Sequence, residues 1–340
     1  MSETQRTVTV RVPAKINLLL AVGPRRPDGF HELSTVFCAV GLYDTVTASP
    51  ATDLSVRLTG PESAGLPADA RNLAWRAAVL LAEHVGIEPR VRLSIDKAIP
   101  VAAGLAGGSA DAAATLLACA RLWNLTVEPA ALDALAAELG SDVSFALHGG
   151  CALGTGRGER LRPVPAAAAS SWVLAAASGG LSTPRVYAEL DRQRAAGTGS
   201  PVARGPEPVI AALGSGDPHL LADRLGNDLE PAALALAPYL GATLAAGRRL
   251  GSLGGLVSGS GPTCAFLAPD GEAAERLAQD LLASGTCRFA RAVVGGAARP
   301  ELTVRSNQSP DAPLILAADR TADLPAANHV ADTLKADGKS

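Results

Sequence analysis

"PVAAGLAGGSADAAATLLACARLW", Pro100 to Trp123, combines two local patterns in one stretch. Its first part carries Gly104, Gly107, Gly108 and Ser109, and from Ala110 to Trp123 it continues in good helix formers without glycine. Glycine removes side chains so that a backbone can approach a ligand, and a helix start offers unpaired N–H groups with partial positive charge. Together they describe a cradle for phosphate. An ordinary turn ahead of a helix would use the same residues, so the rest of the chain has to decide. Upstream, Val91 to Ile95 reads as a strand leading through Lys97 into the loop; downstream, Ala113, Leu116, Leu117 and Ala120 predict one apolar stripe.

Working outward, Val8, Val10 and Val12 alternate with Thr7, Thr9 and Arg11 as a strand, which Pro13 is expected to interrupt before a second apolar run, Ile16 to Val22. Residues 33–48 and 54–58 read as further strands with turns between, and residues 72–85 and 129–139 as helices. Prolines and an alanine run between Arg162 and Ser171 suggest a crossing into a second domain. There Trp172 to Ala177 reads as a buried strand, helical patterns lie near 209–213, 217–225, 232–248 and 271–284, and "GGLVSGSGPTCAFLA" (254–268) reads as strand, glycine turn, strand. Domains of 1–165 and 166–299 are expected, with 300–340 a disordered tail, because that end loses aromatics and periodicity.

The chain has 340 residues, of which 48% are hydrophobic, enough for two real cores. A net charge of −3 argues against a large basic surface, so no nucleic-acid partner is expected. Five scattered cysteines without a CxxC pair disfavour both a disulfide framework and a zinc site. The start, MSETQRTVTVRV, lacks an apolar signal core, and no apolar run reaches membrane length, so a cytoplasmic protein with no membrane partner is expected.

Familiar nucleotide and hydrolase motifs are missing. The Gly-Lys-Ser at 338–340 has Thr333 where a P-loop needs its first glycine; Ser260 is flanked by Ser258 and Pro262 rather than the glycines of a nucleophile elbow; no GxGxxG closes an early strand. Among candidate acids and bases, Asp142 follows Gly140 and Ser141, where a helix N-cap would be its ordinary role and a general base its functional one. Lys15 sits between two strand-like runs, as a surface charge or as a cation that steadies a carboxylate or a transferring phosphoryl group. Asn17 lies inside an apolar run, where its amide needs a partner.

Four segments in order, "VPAKINLLLAV" (12–22), "DGFHEL" (28–33), "IPVAAGLAGGSADAA" (99–113) and "SGSGPTCAF" (258–266), resemble the GHMP kinases. The resemblance spans roughly residues 8–297 and implies an α+β, two-domain fold, with a ribosomal-protein-S5-like N-terminal domain and a ferredoxin-like C-terminal domain. It implies ATP and Mg²⁺ as cofactors, with the metal ligands unknown. Asp142 would be the catalytic aspartate and Lys15 its partner. Pro100, Val101, Ala102, Ala103, Gly104, Leu105, Ala106, Gly107, Gly108 and Ser109 would hold the ATP phosphates, with the glycines clearing room for them, and Asn72 and Lys97 would lie close to the adenosine. Asn17, Phe30, His31, Thr183, Tyr187, Gly259, Ser260 and Gly261 would bind the other substrate. The PAKINL and GFH elements are similar to those of the branch that phosphorylates the 2-hydroxyl of a cytidylated methylerythritol, with Phe30 and Tyr187 on opposite faces of the cytosine and His31 reading its edge. A kinase acting on another small alcohol such as homoserine, or a non-catalytic binding protein of the same fold, is the alternative. A monomer or weak homodimer is expected. Where the family often has glycine this chain has Ala102 and Ala106, which fit only if φ is negative there. Asp111, one turn from the phosphates, is a like charge with no assigned role beyond holding Mg²⁺ or capping the helix.

Overall fold

The alternation of Val8, Val10 and Val12 does begin a strand, but Pro13 does not end it. In the computed structural model, which describes residues 6–177, 179–198, 205–306 and 309–310, β1 runs unbroken from Thr7 to Arg25. Its pairing with β2 (His31–Pro50) slips at Pro13/Ala14, and such an irregularity accommodates a residue that has no N–H to donate. Alternation stops at Pro13 because residues 12–22 are buried on both faces of the strand.

The chain then forms β3 (Ser55–Thr59), α1 (Leu73–Val85), β4 (Val91–Asp96), α2 (Gly107–Leu122), α3 (Pro129–Leu139), α4 (Ser141–His148), β5 (Cys151–Gly156) and β6 (Arg160–Pro163). One edge of β2 takes β1; the other takes β5 along 33–38, a single pair from the second domain at Val40, and β4 along 45–50. Helix α2 is buried on nearly every side, not along one stripe; between Ala110 and Ala120 only Leu117 and Ala120 are half-buried. Alanines at 110, 112, 113, 114 and 118 let α1, α4, β1 and β2 all approach it.

The second half contains β7 (Ser170–Ala176), α5 (Thr183–Ala195), α6 (Glu207–Ser215), α7 (Pro218–Ala222), β8 (Gly226–Asn227), α8 (Glu230–Leu236), α9 (Tyr239–Arg249), β9 (Gly254–Val257), β10 (Thr263–Ala268), α10 (Gly271–Ala283) and β11 (Phe289–Gly295). Its sheet has the antiparallel order β9-β10-β7-β11, the ferredoxin-like arrangement the resemblance implies. Val173, Ala175 and Phe266 face a core closed by α5, α8, α9 and α10, which also receives Leu20 and Val22 from β1. Trp172, Leu174, Leu267 and Val293 join the larger core of the first domain. Thus β1 belongs to both cores and carries residues 15–19 across the junction. Among the described residues, no helix is long and apolar enough to cross a membrane.

The expected tail needs one correction. Residues Glu301–Ser306 form β12, which pairs with β1 from Thr7 to Arg11 and buries Leu302 and Val304. Only two apolar residues secure this strand, too short a pattern to stand out in the sequence; residues 311–340 lie outside the described residues. Leu302→Ala should therefore destabilise the protein by about 2 kcal/mol, toward the low end for a buried leucine because the strand lies at an edge. Urea unfolding measures this, and an unchanged midpoint would return 301–306 to the tail.

Candidate active site

A cavity of about 650 Å³ lies where the two halves meet. Lys15 and Asn17 from β1, the 100–109 loop, Ser141 and Asp142 from α4, Thr183 and Tyr187 from α5, and Gly259 to Gly261 all line it. Neighbouring inward positions on a strand, i and i+2, put Lys15 and Asn17 on one face. The Lys15 ammonium is only 5% exposed, donates to Asn17 Oδ1 at 2.9 Å and lies 3.6 Å from Asp142 Oδ2. Asn17 Nδ2 donates to Thr35 Oγ1, which donates in turn to the Leu19 carbonyl. This chain of bonds fixes which way the amide points, and with it the position of the ammonium.

Asp142 is not a cap. Gly140 takes the N-cap position of α4, and the Asp142 carboxylate, about one-third exposed, stands in the first turn facing Lys15 and the cavity. Opposite it, α2 begins at Gly107 without a side-chain cap, so its first amides are left for a ligand. Asn72 is the N-cap of α1: its Oδ1 accepts from Ala74 N and its Nδ2 donates to the Pro67 carbonyl, while the residue also lines the cavity. Leu105 is buried in the core, and its carbonyl accepts from Lys15 N.

Phe30 and His31 are not among the residues lining the cavity; behind its wall, His31 lies against Tyr187, with ring centroids 5.0 Å apart. His31 Nε2 also meets Asp191 Oδ1 at 2.8 Å. Burial pushes the Tyr187 phenol up, and the charge of Asp142 adds to it. Phe30 is 52% exposed, with the Arg157 guanidinium over its ring at 5.1 Å. Thr183 Oγ1 and Ser260 Oγ are within hydrogen-bond distance, 2.8 Å, and the glycine turn of the second domain is tied down by Asn227 Nδ2, which donates to the Val257 and Gly259 carbonyls.

Models of the GHMP kinases N terminal domain and the GHMP kinases C terminal match residues 72–150 and 209–286. A 4-diphosphocytidyl-2-C-methyl-D-erythritol kinase of Mycolicibacterium gilvum is 59% identical over 291 residues, covering 85% of this chain and 90% of that relative. The chain belongs to the GHMP kinases, in the 4-diphosphocytidyl-2-C-methyl-D-erythritol kinase family. A solved structure of a 4-(cytidine 5'-diphospho)-2C-methyl-D-erythritol kinase is 36% identical, with a TM-score of 0.69 over 85% of this chain and 99% of that one. A homoserine kinase from Cytophaga hutchinsonii is 20% identical, with a TM-score of 0.67 over 87% of this chain and 97% of that one, and shares the fold alone.

Beneath the 100–109 loop lies a cluster of buried charges. Lys97, expected near the adenosine, is buried and lies between Asp44 and Asp111 rather than on the cavity wall. Burial alone would lower its pKa, but Asp111 and Asp44 together raise it. Asp44 Oδ1 also accepts from Ala98 N and Ile99 N, at 2.7 and 2.9 Å, and so pins the entrance of the loop. Both residues had a readable signal. Asp44 lies at the inward parity of Leu42 and Val46, and Lys97 at that of Leu93 and Ile95, where a charge requires a partner. Asp191 is likewise one helical repeat beyond Thr183 and Tyr187, on the same face of α5.

The loop glycines are required largely by what surrounds them. A Cβ on Gly104 would lie 2.2 Å from the Ser258 carbonyl oxygen, and its φ of +74° is left-handed. A Cβ on Gly107 would point at Ile99, 3.1 Å away, and at Lys97, not into the cavity. Ala102 and Ala106, expected at negative φ, have φ of +50° and +59°. The chain thus holds two alanines in a conformation costing roughly 1–2 kcal/mol each. Ala106→Gly releases that cost but adds freedom to the unfolded chain, worth about 0.4–1 kcal/mol. The variant should be more stable by about 0.5–1 kcal/mol. A lower urea midpoint, as for glycine inside a helix, would contradict the left-handed cap.

Proposed function

We propose that this chain transfers the γ-phosphoryl group of ATP to the 2-hydroxyl of 4-diphosphocytidyl-2-C-methyl-D-erythritol, a step in non-mevalonate isoprenoid precursor synthesis. The observation that carries the reading is the Lys15–Asp142 pair, 3.6 Å apart and facing the uncapped start of α2 across one cavity, in a chain 59% identical to a kinase of that name. Phosphates over residues 100–109 would meet backbone amides and the positive end of the α2 dipole. The substrate hydroxyl would sit beside Asp142, which orients it and accepts its proton. Lys15 would stabilise both that carboxylate and the charge that develops on the transferring group. Catalysis of this kind is mainly positioning and electrostatics.

Among the described residues, no group of three or more His, Cys, Asp or Glu could hold a metal ion. An Mg²⁺ ion would arrive with the nucleotide. Its chemistry would be to neutralise phosphate charge.

For the cytidine end, the geometry supports Tyr187 as the stacking face and His31, oriented by Asp191, as the edge reader. Phe30 under Arg157 would close over the base from outside. Homoserine kinase activity is disfavoured because homoserine has no base for Tyr187 to stack on.

Asp142→Asn keeps the side chain's shape and removes the proton acceptor, so kcat should fall ~10²–10⁴-fold with the ATP KM nearly unchanged. Near-normal turnover would remove Asp142 from the reaction. In an ADP-release assay, the cytidylated substrate should far outperform methylerythritol phosphate in kcat as well as KM, because binding energy remote from the hydroxyl orients it. Preference for homoserine or mevalonate would overturn the substrate assignment.

A further inference from the structure

The cluster below the phosphate loop has two carboxylates and one ammonium. Asp44 is fully engaged: Oδ2 accepts from Lys97 Nζ, and Oδ1 accepts from two backbone amides. Asp111 is not. Its Oδ2 accepts from Lys97 Nζ at 2.6 Å, but its Oδ1 is buried with no partner, the residue is only 3% exposed, and it lines the cavity. With both acids ionised, the cluster carries one net negative charge directly under the start of α2. A nucleotide would bring its own negative charges there, in a region too dry for water to screen them.

We propose that Asp111, where it is still ionised, takes up one proton when nucleotide phosphates settle over the start of α2, so that the Asp44–Lys97–Asp111 cluster is neutral beneath them. The inference rests on the phosphate-loop reading given above. The proton comes from solvent and bonds to the unpartnered Oδ1; no other bond breaks, and Lys97 keeps its charge and its contact with Oδ2. Between the two acids, Asp111 has room for the proton: donors already occupy both Asp44 oxygens, three in all, whereas Asp111 Oδ1 has none.

The surrounding charges agree with this choice. Burial pushes the Asp111 carboxyl up to about 8, the Lys97 charge opposes that rise, and the Asp44 charge adds to it. A bound polyphosphate is a further like charge and acts in the same upward direction. From the segment after β3, Glu62 interacts with Lys97 but is held low chiefly by its hydrogen bonds from Arg288. From the α1 side, Arg71, the N-cap Asn72 and Leu73 line the same cavity. Lys15, Asp142 and Arg157 line the same cavity, but of all these groups only Lys97 makes an ion pair with Asp111.

The test is titration calorimetry of the full chain with ADP and Mg²⁺ at about pH 8.5, above the raised Asp111 value, in buffers of differing ionisation enthalpy. The wild-type protein should take up most of a proton per ADP. Asp111→Asn, which keeps an acceptor for Lys97, should take up almost none. Above that value, wild-type affinity should fall by up to tenfold per pH unit, and affinity of the variant should not change. A protonated-carboxyl C=O band should also appear in the wild-type infrared difference spectrum on adding ADP, a readout that needs no variant. Binding without proton uptake, equal uptake in both proteins, or no such band would overturn the inference and leave the kinase reading intact. Proton release would do the same and point to Asp111 as a cation ligand. Failure of ADP to bind at all would overturn the phosphate-loop reading and this inference with it.

Discussion

A lysine ammonium at 5% exposure is tolerable only where its charge and its donors are met, and Lys15 meets that condition through two separate elements. Asn17, two residues along the same strand, supplies one acceptor, and Asp142, from the first turn of α4, supplies the opposite charge. The pairing ties the central strand β1 to a short helix that follows it by more than a hundred residues. It also leaves a carboxylate beside a cation at the edge of the cavity, an arrangement suited to activating a hydroxyl. Structure and the proposed chemistry make the same demand here: a change at Asp142 would strand the buried Lys15 charge and remove the group proposed to accept the proton.

The opposite wall obeys a different constraint, the closeness of two backbones. Gly104 and Ser258 approach so tightly that only glycine fits at 104, and Ser258 Oγ donates to the Gly104 carbonyl. One of these loops precedes α2 in the first domain; the other joins β9 to β10 in the second. Their contact fixes the width of the cavity as well as its lining. Two left-handed alanines and a carboxylate with one orphan oxygen lie in or just below the same loop. Local rules are broken here and hardly elsewhere in the first domain, as expected where a ligand rather than the fold sets the geometry.

Much of this was legible in the sequence, for reasons that differ from residue to residue. Helix α1 announces itself through the spacing of Leu73, Ala77, Leu80 and Leu81. The glycine–alanine contrast at Pro100–Trp123 located the loop and the helix behind it. Proline reads as an ending, yet β1 continues past Pro13 because a bulge excuses the missing N–H. The edge strand β12 escaped because a long unpatterned segment follows it and its apolar pair is so short. Positive φ at Ala102 and Ala106 could not be read, since alanine adopts it only under the constraint of neighbours that sequence does not place together. Asp44 could have been found: an acid at an inward strand position calls for a cation, and Lys97 was the next inward residue beyond Ile95.

If Lys15 and Asp142 act as one unit, their contributions to turnover cannot be separated. The direct test is a double-mutant cycle on kcat with the cytidylated substrate, using Lys15→Met, Asp142→Asn and the combined variant. The account predicts strong non-additivity, with the double variant about as slow as the slower single one, because each partner is ineffective without the other. Losses that simply multiply, to the product of the two single effects, would show that Lys15 and Asp142 work independently and would contradict the central claim.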